Sequence, residues 1–161
     1  MSFQPDYAFD GEPPLGETWE VAPGVRWLRM PLPFKLNHIN LWMLEDGDGW
    51  TLVDTGINTE ETRTAWDRVF ENTLGGKPVT RIIVTHFHPD HVGLAGWLAA
   101  RFKVPLWMPY TEWATGRMLS FETSESAGPV SHAFYKAAGF TGERLDQVER
   151  RVGRYGGNIS P

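Results

Sequence analysis

The residues best able to do chemistry stand together in Thr85-His86-Phe87-His88-Pro89-Asp90-His91-Val92-Gly93, which holds three of the chain's five histidines within six positions. Imidazole and carboxylate groups crowded into one short segment are ligands for zinc, iron or manganese, zinc most often. In extended backbone, residues two apart point to the same side. His86 and His88 therefore offer two imidazoles to one cation. Asp90 and His91 follow the turn at Pro89 and are placed to face a second cation nearby. Ordinary loop polarity does not account for this concentration of imidazole.

Such a cluster needs rigid elements to position it. Ile82-Ile83-Val84 reads as a buried strand, because short β-branched apolar runs fill both faces of a covered sheet. Pro89 stops the ladder. Asp90 is read as an N-cap, with Val92, Leu94, Ala95, Leu98 and Ala99 following at helical spacing. The cluster thus belongs at the carboxyl end of a strand, where open α/β sheets bind their ligands.

Upstream, residues 18–22 and 25–30 read as strands joined at Pro23-Gly24. Residues 39–45 and 49–54 read as a hairpin about Asp46-Gly47-Asp48. Thr59 can cap a helix over 60–74, with Ala65, Trp66, Val69 and Phe70 on one face and Gly75-Gly76 as its stop. Residues 105–108 form another short strand. Helices are expected over 110–120, 130–138 and 142–152, with loops at 123–129 and 155–161.

A chain of 161 residues is long enough for one domain with its own core. With 41% hydrophobic and 22% charged residues it is globular in composition. The absence of cysteine excludes a disulfide and a thiolate metal site. Residues 1–16 carry three prolines and two glycines and read as an irregular lead-in. They have neither the basic nor the apolar region of a signal peptide, and no later run has the length of a membrane span. A cytoplasmic location and no membrane partner are expected. Acids outnumber bases nine to three in residues 1–54, whereas eleven face twelve in residues 55–161. Arg144, Arg150, Arg151 and Arg154 are interleaved with Glu143, Asp146 and Glu149, the pattern of a solvated helix face and not of a nucleic-acid footprint.

Thr85 to Gly93 resembles the H-x-H-x-D-H signature of the metallo-β-lactamase superfamily. Leu52-Val53-Asp54-Thr55-Gly56 resembles that family's first motif, an aspartate ending a strand. The resemblance covers residues 26–106 and, more loosely, the rest, and its finer likeness is to glyoxalase II-like or β-lactamase-like hydrolases. It implies an α/β (α+β) fold, the four-layer αββα sandwich, in which each half of the chain builds one sheet. Residues 17–161 resemble the first half only, supplying the first β-sheet plus helices. The second half of such a protein would supply a third histidine for the first metal, an aspartate bridging both metals and a final histidine for the second. After His91 the sequence offers His132 and Asp146, both in helical contexts unlike the family's later motifs. The expectation is therefore a truncated chain that holds metal poorly on its own, the alternative being a short protein with a degenerate site. Such a half-domain should expose a sheet face carrying Val25, Trp27, Ile39, Leu41, Met43, Leu52 and Ile83, through which it would self-associate or meet its missing half.

The resemblance further implies a hydrolase with two zinc ions, or iron or manganese in their place, held by His86, His88, Asp90 and His91. Water activated between them would attack the carbonyl of a small thioester, lactone or lactam-like substrate, with Asp90 orienting it. A phosphodiesterase or ribonuclease of the same fold is the alternative, against which the acidic balance argues. A catalytically incomplete fragment is the third reading. Asp54 ends a strand expected beside the Ile82 strand. It is the candidate acceptor for the far nitrogen of a ligating histidine, or else it caps its own loop through Thr55-Gly56. His38, between Asn37 and Ile39, is expected in the wall of the site or as a local hydrogen-bonder.

Overall fold

A computed structural model describes residues 8–160. Positions 1–7 of the expected lead-in, and Pro161, lie outside the described residues; residues 8–16 contain no helix or strand. Six strands form one sheet in sequence order: β1 (Trp19–Ala22), β2 (Val25–Pro31), β3 (His38–Asp46), β4 (Gly49–Val53), β5 (Val79–Ile83) and β6 (Leu106–Trp107). The first four meander antiparallel, and β4–β5 and β5–β6 are parallel. Parallel neighbours need crossovers. These are α1 (Glu60–Thr73) for the first and α2 (Pro89–Val92) with α3 (Ala95–Phe102) for the second. Helices α4 (Tyr110–Phe121), α5 (Ser124–Ala137) and α6 (Gly142–Glu149) follow, then a 3₁₀ turn at Tyr155–Asn158.

The core lies between one sheet face and the crossover helices. Thr59 caps α1, its hydroxyl accepting from the Thr62 amide at 3.2 Å, and Glu60 and Glu61 favour the positive end of the helix. This fixes a helix whose buried stripe is Ala65, Trp66, Val69 and Phe70. Leu28, Met30, Leu41, Met43, Leu52, Ile82 and Val84 of the sheet are fully buried beneath that stripe and beneath Leu94 and Leu98.

The open face differs from expectation. Trp27 pairs with Trp42, and Leu28 with Leu41, so Leu41 and Met43 share the face of Leu28 that the helices cover. Leu52 pairs with Met43 and goes with them, and Ile39 packs against the same core. Val25, Trp27 and Ile83 do lie on the other face, together with Trp42 and Trp107, which are 37% and 54% exposed. Alternation settles which residues share a face; it does not settle which face the helices take.

Two local expectations also fail. Residues 123–129 begin α5 and are not a loop. The Thr123 hydroxyl accepts from the Ser126 amide at 3.1 Å while the Ser126 hydroxyl accepts from the Thr123 amide at 3.0 Å, a reciprocal capping box. Asp90 is not an N-cap: Pro89 occupies the first helical position, where its missing N–H costs nothing, and His88 precedes it as the cap residue.

One carboxylate ties the middle of the sheet. At the end of β3, Asp46 accepts from the hydroxyls of Thr80 at 2.7 Å and Thr51 at 3.0 Å and pairs with Arg81 at 2.9 Å. These bonds, that from Thr80 foremost, hold its carboxyl below the usual carboxylate range. A lowered folded pKa stabilises above the unfolded value of about 3.9, and that stabilisation is lost as pH falls through the folded value. Asp46→Asn is expected to flatten the decline of Tm below about pH 4; a slope equal to that of the parent would contradict the assignment.

Candidate metal centre

The site is built from the carboxyl ends of β4 and β5. Immediately after β4, Asp54 turns into the left-handed region at φ 63°, which a short polar side chain tolerates better than most. The turn carries its buried carboxylate to the end of β5. Oδ1 accepts from the Thr85 amide at 2.8 Å, and Oδ2 accepts from His91 Nδ1 at 2.9 Å. The Thr85 hydroxyl lies 3.0 and 2.9 Å from the two oxygens. Burial opposes ionisation here, but hydrogen bonds from His91 and from both donors of Thr85 outweigh it and hold the Asp54 pKa below the usual range.

That carboxylate sets the proton positions around it. It only accepts, so neutral His91 carries its proton on Nδ1 and presents the lone pair of Nε2. The Thr85 hydroxyl gives its proton to Asp54, and its oxygen, 3.0 Å from His86 Nδ1, accepts from that nitrogen. His86 then presents a bare Nε2. Burial, followed by the neighbouring His91 and His88, lowers the His86 pKa, and Asp54 and Asp90 only partly offset this. His86 is thereby kept in the neutral form that a metal ligand needs.

His86 Nε2 and His88 Nδ1 are 3.0 Å apart. Two nitrogens on one tetrahedral zinc lie about 3.3 Å apart, from bonds of about 2.0–2.1 Å. With His86 Nε2 as acceptor, the proton between the two rings sits on His88, in the position a cation would take. His91 Nε2 and Asp90 Oδ2, 3.7 Å apart, form the second pair. Each pair offers two donors of the types that divalent cations take. Among the described residues no group of three or more His, Asp or Glu is arranged to hold one ion.

Thr55 and Gly93 lock this loop to its base. The Thr55 hydroxyl donates to the His91 carbonyl at 2.7 Å and accepts from the Leu94 amide at 3.1 Å, bridging the break between α2 and α3. Gly93 sits where a Cβ would meet the Pro89 and Gly56 carbonyl oxygens at 2.4 and 2.5 Å, so only glycine lets these backbones cross.

The structure thus brings together His86, His88, Asp90, His91 and Asp54. His38 lies apart, at the start of β3, bonded to the Asn37 carboxamide at 2.7 Å and lining a separate cleft with Glu12 and Arg29. His132 pairs with Glu149 between α5 and α6. Sequence reasoning missed Glu112 and Tyr155. Glu112 accepts from the Phe87 amide at 3.1 Å, and the Tyr155 hydroxyl donates to the Phe87 carbonyl. Burial and the charge of Glu112 raise the Tyr155 pKa to about 12, so it remains a donor. The end of the described chain, expected as a loop, is fastened here as well: Ser160 donates to the Gly93 carbonyl at 2.6 Å and accepts from the Trp97 amide at 3.0 Å.

A sheet with its ligand cluster at the open ends of parallel strands places the protein among α/β folds that bind at strand termini. The chain belongs to the metallo-β-lactamase superfamily, whose Lactamase_B sequence model matches residues 35–156. It is similar to the probable metallo-hydrolase YqjP of Bacillus subtilis (strain 168), with 31% identity over 68 residues, 42% of this chain and 21% of that protein. A solved β-lactamase domain protein from Burkholderia ambifaria is 53% identical at a TM-score of 0.66, over 69% of this chain and 35% of that one. A metallo-β-lactamase family protein from Thermus thermophilus is 27% identical at a TM-score of 0.64, over 88% of this chain and 46% of that one. The chain spans less than half the length of each of these relatives.

Because Asp54 fixes both the tautomer and the place of His91, Asp54→Ala is expected to cost about 10–100-fold in metal affinity. Competition with a chromogenic chelator measures it, and affinity equal to the parent would contradict the role. Gly93→Ala should unfold the loop or lower Tm by several degrees, whereas a tolerated alanine would mean that the crossing can open.

Proposed function

We propose that this chain carries the first half of the active centre of a metal-dependent hydrolase acting on a small acyl compound, a thioester, lactone or lactam-like carbonyl. The observation that carries this reading is the convergence of His86 Nε2 and His88 Nδ1, 3.0 Å apart, beside His91 Nε2 and Asp90 Oδ2, with the far nitrogen of His91 bonded to one buried carboxylate. His86 and His88 would hold one cation, and Asp90 and His91 the other. Zinc suits this set, and iron or manganese is the substitute. When bound, the cations supply Lewis acidity and lower the pKa of water toward neutrality. Asp90, half-buried at the mouth of the loop, would accept a hydrogen bond from a water there and orient it. Asp54 keeps the His91 proton on the side away from the reaction.

Two donors per cation fall short of the three that catalytic zinc sites use, so a loaded centre would need further donors. The net charge of −5 supports a small substrate over a polyanion, because nucleic-acid grooves need basic surface. Among the described residues no helix is long and apolar enough to cross a membrane.

The test uses the product of the complete reading frame, loaded with zinc and offered thioester, lactone and RNA substrates. Acyl turnover that is lost on chelation, restored by zinc and abolished in His86→Ala is expected. Cleavage of RNA with the acyl substrates untouched would establish a phosphodiesterase instead. Inactivity toward all three with zinc bound would mark a catalytically incomplete protein.

A further inference from the structure

The loop that carries His86 and His88 is pinned at both ends and at its middle. β5 ends at Ile83, the Val84 amide still donates to the Trp107 carbonyl, and α2 begins at Pro89. At the start of the loop Thr85 N–H goes to Asp54, and at its end the His88 carbonyl accepts from the His91 and Val92 amides at 2.9 and 3.0 Å. The middle is held at Phe87, the residue between the paired imidazoles, whose N–H goes to Glu112 and whose carbonyl accepts from Tyr155. Its donor and its acceptor are gripped from different elements, α4 and the 3₁₀ turn.

The closeness of α4 is built in. Gly116, one turn after Glu112, is buried, and a Cβ there would meet the Tyr155 hydroxyl at 3.0 Å and Phe87 Cβ at 3.5 Å. The bond from Phe87 to Glu112 runs to a carboxylate and is the stronger kind. We propose that Glu112 and Tyr155 are positioning residues, which clamp the Phe87 peptide groups and so hold His86 Nε2 and His88 Nδ1 at the separation one cation requires.

Glu112 and Tyr155 bond to the Phe87 backbone and not to the imidazoles. The clamp acts by denying the loop the φ and ψ changes at Phe87 that would swing the two rings apart. A shift of about 1 Å in a ligand is enough to lose a preorganised site. Tyr155 lies 69 residues after His86 in the chain and Glu112 lies 26 after it, so helices that look peripheral to the sheet would be required for the centre.

The proposal rests on the metal-centre reading, and the test separates the two. Cobalt(II) is titrated into the product of the complete reading frame and into its Glu112→Ala, Glu112→Gln and Tyr155→Phe variants, following the visible d–d band. Exchange of the Phe87 amide is measured in the metal-free proteins. The parent is expected to bind cobalt at the histidine cluster. Glu112→Ala and Tyr155→Phe should bind about 10–100-fold more weakly, the range for groups that orient metal ligands, and with a shifted band. Glu112→Gln keeps an oxygen acceptor and should restore both affinity and band, which a merely stabilising role would not require. Phe87 exchange should rise in Glu112→Ala and not in Glu112→Gln. Parent-like affinity and band in Glu112→Ala and Tyr155→Phe would overturn the clamp while leaving the metal centre standing. A parent that binds no cobalt would overturn the metal-centre reading, and the clamp's purpose with it.

Discussion

The buried carboxylate of Asp54 is the constraint on which the site depends. A charge of this kind is costly to remove from water unless every lone pair finds a donor. Among the described residues the donors come from Thr85, just beyond β5, and from His91 on α2. The parallel register that sets Val53 beside Ile83 puts Asp54 level with the end of β5. Sheet pairing thus decides where the carboxylate lies, the carboxylate decides which nitrogens carry protons, and those nitrogens decide where a cation can bind. The left-handed backbone at Asp54 is part of the same arrangement, because a residue continuing the strand would aim its side chain elsewhere.

The next residues have related tasks in series. Thr55 is fully buried and spans the break between α2 and α3, while its carbonyl accepts from the indole of Trp66 at 2.8 Å, which joins the loop to the core of α1. Gly93 lets two backbones pass within contact distance, and at Gly56 a Cβ would meet the Thr62 methyl at 2.7 Å. The histidine loop is therefore anchored below by the hydrophobic core. It is held at its sides by charged and polar groups from α4 and the 3₁₀ turn, and the imidazoles remain partly open to solvent.

Much of this was legible in the sequence because it is local. The spacing of His86, His88, Asp90 and His91 is read directly, and Asp54 could be placed beside them once two strands were joined by a helix of crossover length. The capping of α1 by Thr59 is a one-turn signal and was equally plain. Longer-range choices were not. Leu41, Met43 and Leu52 alternate correctly, but nothing in their own strands says which face the helices will cover. Thr123 and Pro129 look like loop residues until the capping bond with Ser126 is seen. Glu112 and Tyr155 reach Phe87 only through the packing of α4 and the 3₁₀ turn, and neither stands in a recognisable motif.

The central claim is that the four ligand residues divide into two pairs whose nitrogens are selected by Asp54. Anomalous scattering at the zinc edge, from crystals of the product of the complete reading frame grown with zinc, tests it most directly. Two peaks are expected. One should lie about 2.0–2.1 Å from His86 Nε2 and His88 Nδ1, and the other at bonding distance from His91 Nε2 and an Asp90 carboxylate oxygen. Zinc bound through His91 Nδ1, with the Asp54 bond broken, or zinc found away from this loop, would contradict the account.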